Sequence, residues 1–408
     1  MSDVGKAVTR AHHDEWARVV AALTRRFGDL DIAEEAAAEA FATAVERWPA
    51  DGVPPNPGAW LTTTAVRKAI DRIRRENKRD DKHKEAQMVY DNTPPEPLGA
   101  IDDDRLRLIF TCCHPALAME ARLALTLRMV GGLTVPEIAR AFLVAESAMG
   151  QRITRAKAKI KAARIPYRMP SAEDLPARVT GVLGVLFLVF NEGYLATGSD
   201  TDPVRHDLTA EAIRLTRLIR ALLPEDGEVA GLLALMLLIE ARRTARVSAS
   251  GELVALDEQD RGAWDKALIA EGHRLVRERL AAGVAPGRYQ ILAAINAVHT
   301  SARDVRDTDW SQILALYDQL VRLDPSPVIA LNRAIAVAEL DGPEVALAAV
   351  DRLEHRLAGY HAYHATRADL LRRLGRSQQS LAAYDKAIEL AGNTAETAYL
   401  TRRRGQLR

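Results

Sequence analysis

Three stretches bring together side chains of the types that perform covalent or metal chemistry. TCCHPAL (111–117) sets two cysteines beside a histidine. Adjacent cysteines do not easily share one tetrahedral zinc site, and no second ligand pair follows at finger-like spacing. In an apolar helical run, Cys112 and Cys113 read as small core residues. FNEGYLATGSD (190–200) follows the most apolar run of the chain, and its Glu192 and Tyr194 are candidates to line a pocket, although a structural turn is the simpler reading. YHAYHATRAD (360–369) places His361 and His364 three apart on a helix, where packing or surface roles are commoner than metal ligation. No nucleophile, base and orienting group come together, and no Walker loop, dinucleotide fingerprint or protease motif is present. The expectation is a protein with no catalytic residues, no metal and no cofactor.

Residues 133–161, LTVPEIARAFLVAESAMGQRITRAKAKIK, offer reversible recognition instead. Thr134 followed three residues later by Glu137 is a capping box that starts a short helix. Pro136 lies in its first turn, where a missing N–H is tolerated. Ile138 and Ala139 face a core. A second helix starts near Ala145, with Met149, Ile153, Ala156 and Ile160 as a narrow inward stripe. Ser147, Gln151 and Arg155 recur every four residues on the opposite face, with Arg152 and Lys159 beside them. A hydroxyl, an amide and a guanidinium suit base edges in a major groove. Lys157, Lys161 and Arg164 lie further along and suit phosphates. Periodicity alone does not separate a DNA-reading helix-turn-helix from two amphipathic helices with a solvated basic face.

The elements that must carry these residues are helical. Aromatics are only 5%, and period-two runs of Val and Ile are hard to find, which predicts an all-α fold. At 408 residues, 48% hydrophobic and 27% charged, the chain is long enough for roughly two to four domains with buried cores. Two cysteines give no disulfide framework and fit a reducing cytoplasm. The N-terminus lacks a basic segment followed by an apolar one, so no secretory signal is expected. VTGVLGVLFLVF (179–190) is too short at twelve residues to span a bilayer, and a buried helix with no membrane is expected.

The formal net charge of +1 hides a pattern. Residues 28–46 hold six acids (Asp29, Asp31, Glu34, Glu35, Glu39, Glu46) and no base; 64–84 hold nine bases against four acids; 145–168 hold seven against one. Helical periodicity covers 12–48 and ends near Trp48-Pro49. After ADGVPPNPG (50–58), a second helix runs from about Ala59 to Lys78 with an inward face of Trp60, Ala65, Ile70 and Ile73. DNTPPEP (91–97) is a turn-rich linker. Residues 102–164 are helical, and IPYRMPSAEDLP (165–176) is a Pro-bearing joint.

GDLDIAEEAAAEAFATAVERW, then PNPGAWLTTTAVRKAIDRIRRENKR, then the helix-turn-helix stretch follow one another in an order and spacing that resembles a sigma factor of the extracytoplasmic-function class, over residues 10–168. The resemblance implies that 1–85 is sigma region 2, 86–100 a linker and 101–168 sigma region 4. It implies docking of Asp31, Glu35 and Glu39 on a basic coiled coil of core RNA polymerase. It implies melting and holding of a −10 element by Arg67, Lys68, Arg72, Arg74, Arg75 and Lys78, with an unstacked base taken up near Trp60 in the PPNPGAW loop. It implies that Ser147, Gln151, Arg152 and Arg155 read a −35 element, with Lys157 and Lys159 supporting them on promoter DNA. Leu143 stands where the turn usually has Gly, and Gly150 where the family often has a base. Both departures bear on which −35 sequence is read.

Residues 169–408 resemble the subgroup with a tetratricopeptide-like extension, whose FNEGY (190–194), DEQDRGAWD (257–265), TDW (308–310) and PSPVIALNRA (325–334) stretches are recognisable. From about 305 a repeat is visible: Tyr317, Val350 and Tyr384 stand 33 and 34 residues apart, Leu340-Asp341-Gly342 aligns with Leu374-Gly375-Arg376, and Ala334 aligns with Ala368. Ser380 and Leu371 miss the usual small and aromatic positions. The extension is expected to regulate or support transcription by binding a protein, a small ligand or polymerase itself, the alternative being that it only stabilises the sigma core. The competing reading is a stand-alone helix-turn-helix regulator with a repeat-type sensor, which leaves 28–80 unexplained. An all-α enzyme is the third.

Overall fold

The computed structural model describes residues 3–80, 104–142, 144–194, 206–248, 253–392 and 394–407. The fold is all-α: 78% of the chain is helical. Among the described residues, strand pairing is confined to one isolated antiparallel bridge between Val247 and Leu253. The chain divides into two compact units, Met1–Leu186 and Phe187–Arg408.

The first unit opens with α1 (Asp3–Phe27), α2 (Leu30–Asp51) and α3 (Pro57–Asp80), which pack on one another. The periodicity of 12–48 therefore belongs to two helices. Gly28 breaks it at φ +68, a backbone conformation that glycine adopts without steric cost. Asp29 then caps α2 by accepting the N–H groups of Asp31 and Ile32. Ala33, Ala36, Ala37, Ala40 and Ala44 are buried along α2, so its neighbours approach closely. The buried stripe of α3 is Leu61, Ala65 and Ala69, each fully buried. Of the expected face, Ala65 is in place, whereas Trp60, Ile70 and Ile73 are only half-buried and Leu61 and Ala69 take the inward positions. Trp60 sits at the flank, its ring edge-on to Trp48 at 5.6 Å.

Next come α4 (Asp104–Cys112), α5 (Met119–Thr126), a π turn (Leu127–Gly131), α6 (Val135–Ala141) and α7 (Glu146–Ala162). The expected linker 86–100 lies outside the described residues. Cys112 and Cys113 are core residues: both are buried. Burial pushes the Cys112 thiol well above its ordinary value and that of Cys113 to about 11, so neither is a ready nucleophile. Helix α8 (Leu175–Tyr194) is 20 residues, longer than the apolar run inside it, and it is long and apolar enough to cross a membrane. The argument from twelve residues therefore fails. What speaks for a core helix is that Val182, Leu183, Val185, Leu186, Val189 and Phe190 are all buried. The division between the units falls inside α8, later than the Pro-bearing joint.

The second unit comprises α9 (His206–Leu222), α10 (Gly227–Glu240), α11 (Arg243–Arg246), α12 (Lys266–Ala281), α13 (Arg288–Ser301), α14 (Trp310–Leu323), α15 (Pro327–Leu340), α16 (Pro343–Asp351), α17 (Glu354–Leu357), α18 (His361–Arg373), α19 (Ser377–Leu390) and α20 (Thr394–Gly405). Helix α10 is apolar all round, so it is buried all round, against α9, α12 and α13. From α14 onward each long helix packs on the next, α16 meeting α18 while the short α17 rests on α15. Ala334 and Ala368 are buried at the 34-residue spacing, as are Val350 and Tyr384. The turn glycines that take positive φ are Gly342 (+91) and Gly375 (+71), one residue off that register. Ser380 is fully buried, and its hydroxyl donates to the Ala368 carbonyl at 2.8 Å, which satisfies the polar atom at a small-residue position. His361 and His364 take separate partners, Glu396 at 3.1 Å and the Ala358 carbonyl at 2.8 Å.

Candidate nucleic-acid interface

The capping box forms. The Thr134 N–H donates to Glu137 Oε2 at 2.7 Å, and the Glu137 N–H donates to Thr134 Oγ1 at 3.4 Å. Ile138 and Ala139 are the buried residues of α6 among those described. On α7, Met149, Ile153, Ala156 and Ile160 are buried. Ser147, Gln151, Arg155 and Lys159 are exposed and Arg152 is half-buried. Arg155 Nη2 donates to Gln151 Oε1 at 3.3 Å, so the guanidinium and the amide of the outer face rest against each other. Leu143 lies outside the described residues, and Gly150 is an ordinary helical residue.

Lys157 departs from the expected outward set. It is only 9% exposed. Its ammonium donates to Asp31 Oδ1 at 2.8 Å and to the Glu34 carboxylate. Arg128 Nε reaches the other oxygen of Glu34 at 2.5 Å. Lys161 donates to Asp29 Oδ2 at 3.1 Å. Burial raises the Asp29 carboxyl, but the Lys161 bond and the backbone N–H groups of Ile32 and Asp31 outweigh it, so the group is held below its ordinary value. Trp16 Nε1 donates to the Met129 carbonyl at 3.1 Å. Gly132, at φ +76, lies so close to His12 and Trp16 that an added Cβ would come within 2.9 Å of each ring. One flank of α7 and the π turn are thus clasped to α1 and α2.

The acids of α2 and the bases of α3 also meet. Glu35 pairs with Arg72, and Glu39 Oε2 lies 3.7 Å from Lys68 Nζ. These pairs lie at the surface, partly exposed, and each contributes about 0–1 kcal/mol, so a partner surface can exchange them. Arg67 and Arg74 are exposed, and Arg75 Nε bonds the Asp71 carbonyl at 3.3 Å. The Lys78 side chain lies outside the described residues. Trp48 Nε1 is buried with no hydrogen-bond partner beneath the half-buried Trp60. The residue that sequence reasoning missed is Glu34. Its partners stand 94 and 123 residues away, so no local pattern marks it.

Residues 13–79 match Sigma-70 region 2 and residues 107–160 match Sigma-70, region 4. Residues 178–280 match a family of unknown function, DUF6596. The chain is 45% identical over 389 residues to the uncharacterized protein R00370 of Rhizobium meliloti (strain 1021), covering 94% of this chain and 92% of that one. No solved structure matches. A region 2 helical bundle joined to a region 4 helix-turn-helix defines a transcription initiation factor that recognises promoters. The chain belongs to the sigma-70 family of sigma factors and forms one family with the rhizobial protein along nearly its whole length.

Proposed function

We propose that the chain is an alternative sigma factor of the extracytoplasmic-function class, acting in the cytoplasm, whose extension regulates it. Asp31, Glu35 and Glu39 of α2 engage core RNA polymerase. Arg67, Lys68, Arg72, Arg74, Arg75 and Lys78 of α3, with Trp60 at its head, hold the melted −10 element. Ser147, Gln151, Arg152, Arg155 and Lys159 of α7 meet the −35 element. The observation that carries the reading is the sidedness of α7: a hydroxyl, an amide and a guanidinium stand exposed over a buried apolar stripe, in a chain that also carries region 2. Asp31, whose side chain is 59% exposed, would share its carboxylate between Lys157 and the polymerase surface. The tetratricopeptide-like reading of the extension is supported by the buried Ala334 and Ala368 and by the two turn glycines.

In vitro transcription tests this directly. The chain and core polymerase are given the DNA upstream of the chain's own gene. A defined start that depends on the chain, and is lost when Glu35→Lys and Glu39→Lys are combined, is the expected result. No transcript and no polymerase binding would transfer the reading to a stand-alone regulator.

A further inference from the structure

A cavity of about 700 Å³ opens within the second unit, a size in the range that holds small organic ligands. DEQDRGAWD, TDW and PSPVIALNRA come together on its wall, through Asp257 and Arg261, Thr308 and Trp310, and Asn332. Arg261 is held as a receptor is held. Its Nη1 donates to the carbonyls of His299 at 2.7 Å and Ala302 at 2.9 Å, and its guanidinium lies over the Trp264 ring at 4.7 Å. Its Nη2 is buried and has no hydrogen-bond partner. Thr308, only 7% exposed, also has a buried hydroxyl without a partner. Buried polar atoms are rarely left unpaired, and here two line one cavity.

The charge around them points the same way. No carboxylate ion-pairs with Arg261 among the described residues, and those of Asp304 and Asp307 act on it only from beyond ion-pair distance. Arg242 is buried behind the same wall and bonds the neutral amide oxygen of Asn296 at 2.9 Å. Burial first, and then the field of both guanidiniums, keeps His299 neutral on the cavity wall. The cavity body is apolar and partly aromatic, with Trp310 and Ile313. Asp257 and Glu339 on the wall oppose a second negative charge, and Arg306, also on the wall, is already paired with Asp304 at 3.1 Å.

We propose that this cavity binds a small organic monocarboxylate with a flat or branched apolar body, its carboxylate on Arg261 and Thr308 and its body against Trp310 and Ile313. The inference names a ligand class for the extension, and only its effect on transcription rests on the sigma-factor reading. The test is calorimetric titration of the full-length chain with 3-phenylpropionate and with indole-3-acetate, each beside its uncharged primary amide. Saturable binding of one carboxylate per chain is expected, with the amide at least tenfold weaker. Arg261→Gln should weaken the carboxylate at least tenfold. Thr308→Val, nearly isosteric, should weaken it severalfold, and Ile335→Trp should block it by filling the cavity. Thr308→Val keeps the test valid should Arg261→Gln loosen the segment it braces. No binding by either carboxylate, equal binding of acid and amide, or unchanged binding in all three variants overturns the proposal. Core-polymerase binding measured on the same preparation separates the two readings. Carboxylate binding without polymerase binding sinks the sigma factor, and the reverse sinks the cavity.

Discussion

Arg155 and Lys157 stand two residues apart on α7 and do different work. Arg155 is exposed beside Gln151, placed for a base edge. Arg155→Ala should therefore cost roughly 1–3 kcal/mol at one promoter position and relax preference there, read by transcription from a set of promoter variants. Lys157 sits between Asp31 and Glu34, away from solvent. Removing one partner of a buried pair strands the other, although Arg128 still serves Glu34. Lys157→Ala should thus lower the urea stability of the first unit by about 1–3 kcal/mol, and combining it with Glu34→Gln should recover part of the loss. A Lys157→Ala chain of unchanged stability would remove the clasp from the account. The inward stripe of α7 was legible because burial on one helix repeats every three to four residues. The lysine was not, because local period does not say which outward flank meets a distant helix.

At the scale of elements, α13 carries a titration that the fold imposes. His299 is buried, and burial first, then Arg242 and Arg261, lowers its pKa from 6.5 to about 4. The folded second unit keeps the ring neutral while the unfolded chain protonates it near its ordinary value. Stability is therefore complete above about pH 6.5 and falls as pH drops toward 4, by roughly 3 kcal/mol. Below that both states carry the proton and this loss stops. The urea midpoint of His299→Gln should vary less across this window than that of the wild type, and parallel pH slopes would show that His299 is not held neutral. The sequence made helix existence readable, as α2, α3, α6 and α7 show. It concealed the Gly28 break, because one glycine interrupts an otherwise continuous apolar period. The inward face of α3 was legible at Ala65 but not at its start, because Trp60 looked like core and instead flanks Trp48. The cavity wall was unreadable for a different reason. Arg261 is fixed by backbone carbonyls 38 and 41 residues away, and backbone acceptors leave no residue-type signature.

For the whole molecule, the question is where the promoter-reading part ends. The helix-turn-helix suggests 168, but the first compact unit runs to Leu186. Arg178, in the first turn of α8, explains the difference. Its Nη2 donates to the Phe110 carbonyl at 2.5 Å, and its guanidinium lies over the Phe110 ring at 5.9 Å. Phe110 is in the last turn of α4, where carbonyls have no partner within their own helix, so Arg178 satisfies that helix end. A chain ended at 168 loses this cap and should be less stable than one ended at 186, by about 1–3 kcal/mol. Equal melting temperatures for the two would detach α8 from the first unit. The comparison matters because a weak 1–168 fragment would mimic a requirement for the extension. With 1–186, core-polymerase binding should persist while the level or conditional response of transcription changes. If start site, level and response all match the full chain, the extension does not regulate, and the carboxylate cavity serves something other than transcription.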